Sequence, residues 1–152
     1  MFDTNFTPVK RIPFFLITGF LGSGKTTLLK NIVNQFADDK KLAIIQNEFA
    51  AANIDKKELR ETNKSFKLLE INRGSAFCVC LLSSFTKSLR DFIDAHQPDA
   101  IFLEATGLSD PIAIAEILND AKFDDVYLSY VWCIADAMNF HKTGSMITRV
   151  QH

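Results

Sequence analysis

The chain has little of what marks a secreted, membrane-bound or nucleic-acid-binding protein. Its 152 residues hold three cysteines, an odd number, and two of them stand as Cys78-Val-Cys80. That arrangement does not make a disulfide framework; the spacing suits thiols or metal ligands. An excess of one charge is also missing: 17 Lys and Arg against 18 Asp and Glu give a net charge of −1. With the two signs interleaved, neither a nucleic-acid surface nor a membrane-binding patch is expected. No apolar run is long enough to cross a bilayer. The opening Met1–Pro8 lacks the charged and apolar regions of a signal peptide, so the cytoplasm is the expected compartment. No internal repeat and no low-complexity linker occurs. What is present is enough chain for one domain with a real core, made unusually aromatic by fourteen Phe.

The most informative stretch is Gly19-Phe-Leu-Gly-Ser-Gly-Lys-Thr26, which fits the phosphate-binding pattern G-x-x-x-x-G-K-[ST]. Its context is right. Phe14 to Thr18 reads as a buried strand and Thr27 to Phe36 as a helix, and the pattern needs that strand–loop–helix setting. Gly19, Gly22 and Gly24 let the backbone pass close to phosphate oxygens. Ser23 lies between the last two. The loop N–H groups and the positive end of the helix then make an anion nest. Lys25 is expected on the β- and γ-phosphates, and Thr26 offers a hydroxyl to Mg²⁺. Thr27 is a second hydroxyl at the helix start, placed either near the α-phosphate or as a cap.

A polar lead-in, residues 1–12, precedes the first strand. Leu28, Leu29, Ile32, Val33 and Phe36 mark one face of the first helix. Leu42 to Gln46 reads as a second buried strand. Asn47 to Asp55 follows at its C-terminal end, the edge where ligands sit in open parallel sheets. Lys56 to Lys64 is charged, an exposed helix or loop. Lys67 to Ile71 reads as a third strand. A loop through Cys80 leads into a helix with Leu81, Phe85, Leu89, Phe92 and Ile93 on one side, ended by Gln97-Pro98. Ala100 to Glu104 is the fourth strand. Ser109 or Asp110 caps a helix opening at Pro111, and Val126 to Ala135 is the last strand. Alternating strands and helices predict an α/β fold, a three-layer sandwich around a mainly parallel sheet.

Ile101-Phe-Leu-Glu104 followed by Gly107 is a hydrophobic strand ending in a carboxylate. That is the Walker B position, where an acid holds Mg²⁺ directly or through water and the Gly107 N–H senses a γ-phosphate. Together with Asn47-Glu-Phe49, Glu104-Ala-Thr-Gly-Leu-Ser-Asp-Pro111 and Ala135-Asp-Ala-Met-Asn-Phe140, the phosphate loop resembles the CobW-type metal-handling GTPases, relatives of the urease and hydrogenase nickel-insertion GTPases. The resemblance runs from about Pro13 to about Gln151. It implies a P-loop GTPase domain over 13–152 that binds GTP and Mg²⁺, hydrolyses GTP slowly and couples the cycle to delivery of zinc, cobalt or a similar metal. Carried over by position, Asn47 to Asp55 is switch I, with Glu48 or Asp55 placing the attacking water, and Gly107 opens switch II. Cys78 and Cys80 correspond to the family's metal motif. A client metalloprotein and a nucleotide-dependent homodimer are the expected partners.

The chain departs from the family pattern at three places. Leu81 replaces the last thiol of the metal motif and Phe77 the adjoining glycine, leaving two thiolates where soft-metal sites prefer three or four N or S ligands. Ala50 and Asn53 stand where switch I usually has glycine. The histidine-rich tracts are absent; His96 and His141 read as ordinary surface or core residues. The N-K-x-D segment that reads guanine is also absent, which predicts an N-terminal fragment that separates GTP from ATP poorly. Two other classes stay open: a P-loop ATPase or small-molecule kinase, and a non-enzymatic thiol-metal module whose loops nucleotide merely orders.

Overall fold

The structure is a computed structural model that describes residues 11–48, 65–72, 79–105, 111–119 and 121–138. Among these residues five strands form one sheet in the order β3-β2-β4-β1-β5, and all of their pairings are parallel. They are β1 (Ile12–Gly19), β2 (Leu42–Glu48), β3 (Lys67–Asn72), β4 (Ala100–Glu104) and β5 (Val126–Ile134). Three α-helices are described: α1 (Lys25–Phe36), α2 (Val79–His96) and α3 (Pro111–Leu118). The lead-in is one residue shorter than the sequence suggests. Ile12 is buried, and it opens β1 with its N–H donating to the Asp125 carbonyl at 2.6 Å.

Side chains alternate across a strand with period two, so a sheet covered on both faces sends neighbouring residues into different cores. That is observed. Ile12, Phe14, Leu16, Ala43, Ile45, Ile101 and Leu103 enter one core with Phe85, Leu89, Ile93 of α2 and Ile114, Ile117 of α3. Ile17, Leu42, Ile44 and Phe102 enter the other with Leu29, Ile32 and Val33 of α1. The three expected layers are therefore α2 and α3, the sheet, and α1.

β5 breaks the alternation. Phe14 pairs with Leu128 but Phe15 pairs with Tyr130, so Ser129 is an extra residue at a register shift. One inserted residue exchanges the faces of everything after it. Leu128 accordingly packs on the α2/α3 side, whereas Trp132 and Ile134 pack on the α1 side. There Phe15 stacks on Phe102 at 4.8 Å and on Trp132 at 5.2 Å between ring centroids. Part of the phenylalanine-rich composition thus forms an aromatic layer beneath α1. Not every aromatic is inside: Phe36, which by its spacing shares one face of α1 with Leu29 and Val33, is 44% exposed.

Arg90 of α2 ties that helix to the turn before β5. Its guanidinium donates to Asp94 one turn on and to Asp125, and it lies 5.9 Å from the Phe123 ring centroid. The hydrogen bond to Asp125 is the largest of the effects that raise its pKa, which lies above the ordinary arginine range. His96 closes α2 with its ring edge-on to Phe92 at 4.7 Å.

Candidate functional site

In a parallel sheet every strand delivers its C-terminal end to the same edge. Here β1, β2 and β4 are neighbours, and β1 lies where the strand order turns back. Such a switch point opens a crevice at the carboxyl edge. The loop after β1 enters it, and the register sets what lies beside it: Ile17 is paired with Glu104, and Glu104 with Gln46. The Ala105 N–H donates to the Ile17 carbonyl at 2.9 Å, fixing the end of β4 against β1.

The loop itself turns tightly. The Ser23 N–H donates to the Phe20 carbonyl at 3.1 Å. Gly19, Gly22 and Gly24 have φ of 144°, 77° and 98°, a backbone that residues with a Cβ rarely adopt. α1 starts at Lys25, two residues earlier than its apolar spacing suggests, with Gly24 as N-cap and no side-chain cap. Thr27 is therefore inside the first turn and exposed, so the capping option for its hydroxyl is removed. The first N–H groups of a helix have no intrahelical partner. Those of α1 carry the positive end of its dipole toward the loop.

Lys25 is only 5% exposed. Its ammonium donates to the carbonyls of Gly19 at 2.9 Å and Phe20 at 2.8 Å. An ammonium has three protons; these two bonds stiffen the loop and leave one proton for an anion. Thr26, next along α1, donates from its hydroxyl to Glu104 Oε1 at 3.1 Å across 78 residues of sequence. Gln46 donates from its amide nitrogen to Glu104 Oε2 at 2.7 Å. Glu104 and Gln46 share strand parity with Phe102 and Ile44, and this places both on the α1 side of the sheet, below the first turn of α1.

The site thus brings together Gly19, Gly22, Ser23, Gly24, Lys25, Thr26, Thr27 and Glu104 from β1, the loop, α1 and β4, with Gln46 of β2 added. Glu48 is the last residue of β2 and Cys80 the second of α2. Asp55, Cys78 and Gly107 lie outside the described residues. No group of three or more His, Cys, Asp or Glu side chains able to hold a metal ion occurs among the described residues. Gln46 is not singled out by the sequence. Its one signal there is an amide ending an otherwise apolar strand, and it becomes meaningful only once β2 and β4 are known to be neighbours.

A phosphate loop between β1 and α1, with an acid at the end of the adjacent parallel strand, defines a P-loop α/β domain. The solved structure of chloroplast FtsY from Physcomitrella patens shares this fold, with a TM-score of 0.56 at 17% identity over 92% of this chain and 47% of that one. Residues 13–152 match the family model described as CobW/HypB/UreG, nucleotide-binding domain, and the chain belongs to that family. It is 34% identical over 139 residues to zinc-regulated GTPase metalloprotein activator 1 of Saccharomyces cerevisiae, covering 88% of this chain and 32% of that protein. It is 34% identical over 143 residues to the zinc chaperone YjiA of Escherichia coli, covering 90% and 44%. The zinc chaperone CobW of Sinorhizobium is 32% identical over 114 residues, covering 72% and 32%. The chain spans less than half the length of these relatives.

Proposed function

We propose that this chain is the GTP-binding domain of a metallochaperone, in which slow GTP hydrolysis is coupled to handing over zinc. One observation carries the nucleotide half of this reading: Thr26, beside Lys25 at the end of the loop, meets Glu104 at the carboxyl edge of the sheet although 78 residues separate the two. The metal half rests on the zinc-linked relatives and on the Cys78-Val-Cys80 stretch of the sequence.

The oxygens present fit a magnesium ion. Thr26 Oγ1 and Glu104 Oε1 stand 3.1 Å apart. Adjacent ligands of an octahedral ion with Mg–O distances of ~2.1 Å are separated by ~3 Å. A hydroxyl and a carboxylate are hard oxygen donors of the right kind. Bound there, Mg²⁺ supplies charge neutralisation at the phosphate oxygens. The chain's own residues do the rest. The loop N–H groups and the start of α1 orient the triphosphate. Lys25 balances the charge that builds up on the phosphate oxygens. Glu48 or Asp55 places the water for in-line attack on the γ-phosphate, and Gly107 senses that phosphate.

The test is phosphate release from GTP by the purified chain across a magnesium series. Glu104→Gln is expected to raise the magnesium needed for half-maximal release by about tenfold or more, since it removes a charged ligand. Release that ignores both magnesium and this substitution would sink the assignment. Transfer of phosphate to an added small molecule would instead favour a kinase.

For the metal, Cys78 and Cys80 are the proposed thiolate ligands of one zinc ion, completed by groups outside this pair. Cobalt substitution is expected to give a thiolate charge-transfer band that weakens on acidification, because the ligands must be deprotonated. A band that persists when both cysteines are changed to serine would remove them from the site.

A further inference from the structure

Gln46 reaches the site through Glu104, and its environment is unusual. It is 7% exposed, and its amide nitrogen donates to Glu104 Oε2 at 2.7 Å. The orientation follows from chemistry: a carboxylate offers only acceptors, so the NH₂ end must face it. The oxygen of the same amide, Oε1, is buried and has no hydrogen-bond partner among the described residues. A buried acceptor without a donor costs on the order of 1–3 kcal/mol. Such an atom at a polar site, beside a carboxylate that also takes the Thr26 hydroxyl, points to a ligand that donates.

We propose that Gln46 is a positioning residue that grips Glu104 through its NH₂ group and accepts, through Oε1, a hydrogen bond from a water on a hydrated divalent cation. The chemistry matches. Magnesium dehydrates reluctantly and keeps several waters, each an obligatory donor. A donor on one side and an acceptor on the other is what a carboxamide supplies and an apolar side chain does not. Outer partners of this kind fix the orientation of a ligand and tune its affinity for metal by about 10–100-fold. The inference rests on the reading that Thr26 and Glu104 hold magnesium beneath a bound nucleotide.

The experiment titrates a fluorescent GTP analogue onto the intact chain in EDTA and over a magnesium series. Wild type is compared with Gln46→Met and Gln46→Leu, two apolar replacements of similar volume, and with Gln46→Glu. In EDTA the loop alone grips phosphate, so the two apolar variants are expected to bind like wild type. With magnesium, they are expected to raise the half-effective magnesium concentration about 10–100-fold. Gln46→Glu keeps the acceptor and adds a charge that draws the cation, which offsets the lost NH₂ donor. Its magnesium midpoint is expected to stay within about threefold of wild type, a smaller shift than the loss of an outer partner gives. An unchanged magnesium midpoint in the apolar variants overturns the proposal. So does weakening of the same size in EDTA and in magnesium, which marks a purely structural role. Wild type that fails to bind the analogue, or binds it without any response to magnesium, defeats the nucleotide reading itself and the Gln46 proposal with it.

Discussion

Replacing Lys25 with alanine is expected to lower GTP binding and phosphate release together by about 10²–10³-fold, the scale found when one preorganised charge-stabilising group is removed from a site. The size follows from where the ammonium lies. At the surface a single cation is worth little, because water screens it. Lys25 is almost wholly buried, and two of its protons are held by the carbonyls of Gly19 and Phe20. The charge is thus fixed at the mouth of the loop in advance of any anion, and an electrostatic contribution made in advance is not lost to reorganisation. The substitution also leaves two carbonyls without their donor. Phe20 is exposed and its carbonyl can turn to water, whereas Gly19 is buried. A modest fall in melting temperature should accompany the functional loss. The discriminating measurement is calorimetric titration with GTP on protein shown by circular dichroism to be folded. Binding within about threefold of wild type, far short of that scale, would remove Lys25 from the site.

The residues that carry this prediction are legible in the amino-acid sequence alone, and the reason is local. A phosphate loop is a continuous stretch whose chemistry and backbone demands are written side by side, from Gly19 to Thr26. Glu104 is legible for a similar reason: an acid closing an apolar strand is a contiguous pattern. The apolar runs of β1, β2 and β4, alternating with helical spacings, give the α/β class without the strand order. What escapes depends on pairing. The extra residue at Ser129 is invisible in a run of apolar and aromatic side chains, because period two reads the same on either side of it. Only Phe14 against Leu128 and Phe15 against Tyr130 reveals the change of face. Gln46 is hidden likewise, since it matters through β4, 58 residues away. The exposure of Phe36 is hidden too, because spacing gives a side of a helix but not where the neighbouring layer stops. For Thr27 the sequence allows two roles, and the start of α1 at Lys25 removes one of them.

The second large effect concerns stability and falls on Gly19. Two separate demands meet there. Its φ of 144° is a conformation that L residues with a side chain rarely adopt, at a cost of about 1–3 kcal/mol. It is also the last residue of β1, paired with Ile134 at the end of β5. A Cβ on Gly19 would lie 2.3 Å from the Ile134 carbonyl oxygen and 2.9 Å from Ser23 Oγ. The first of these is backbone and cannot swing aside; β1 and β5 would have to part, or the loop would have to lift. Overpacking of this kind costs about 1–3 kcal/mol more. Gly19→Ala is therefore expected to destabilise the chain by about 3 kcal/mol or more, a large share of the ~5–15 kcal/mol typical of a domain, and to lower the melting temperature by about 6–12 °C. Gly22 is the internal comparison. It too has positive φ, 77°, but among the described residues no atom beyond its chain neighbours lies within 4 Å of the position its Cβ would take. Gly22→Ala then carries the dihedral strain alone, about 1–2 kcal/mol. The ranking, Gly19→Ala well below Gly22→Ala and both below wild type, is read from urea or thermal unfolding of the three proteins. Equal stabilities for the two variants would mean that the end of β5 does not close against the loop, and the register that brings β1, β4 and Glu104 together would lose its brace on that side.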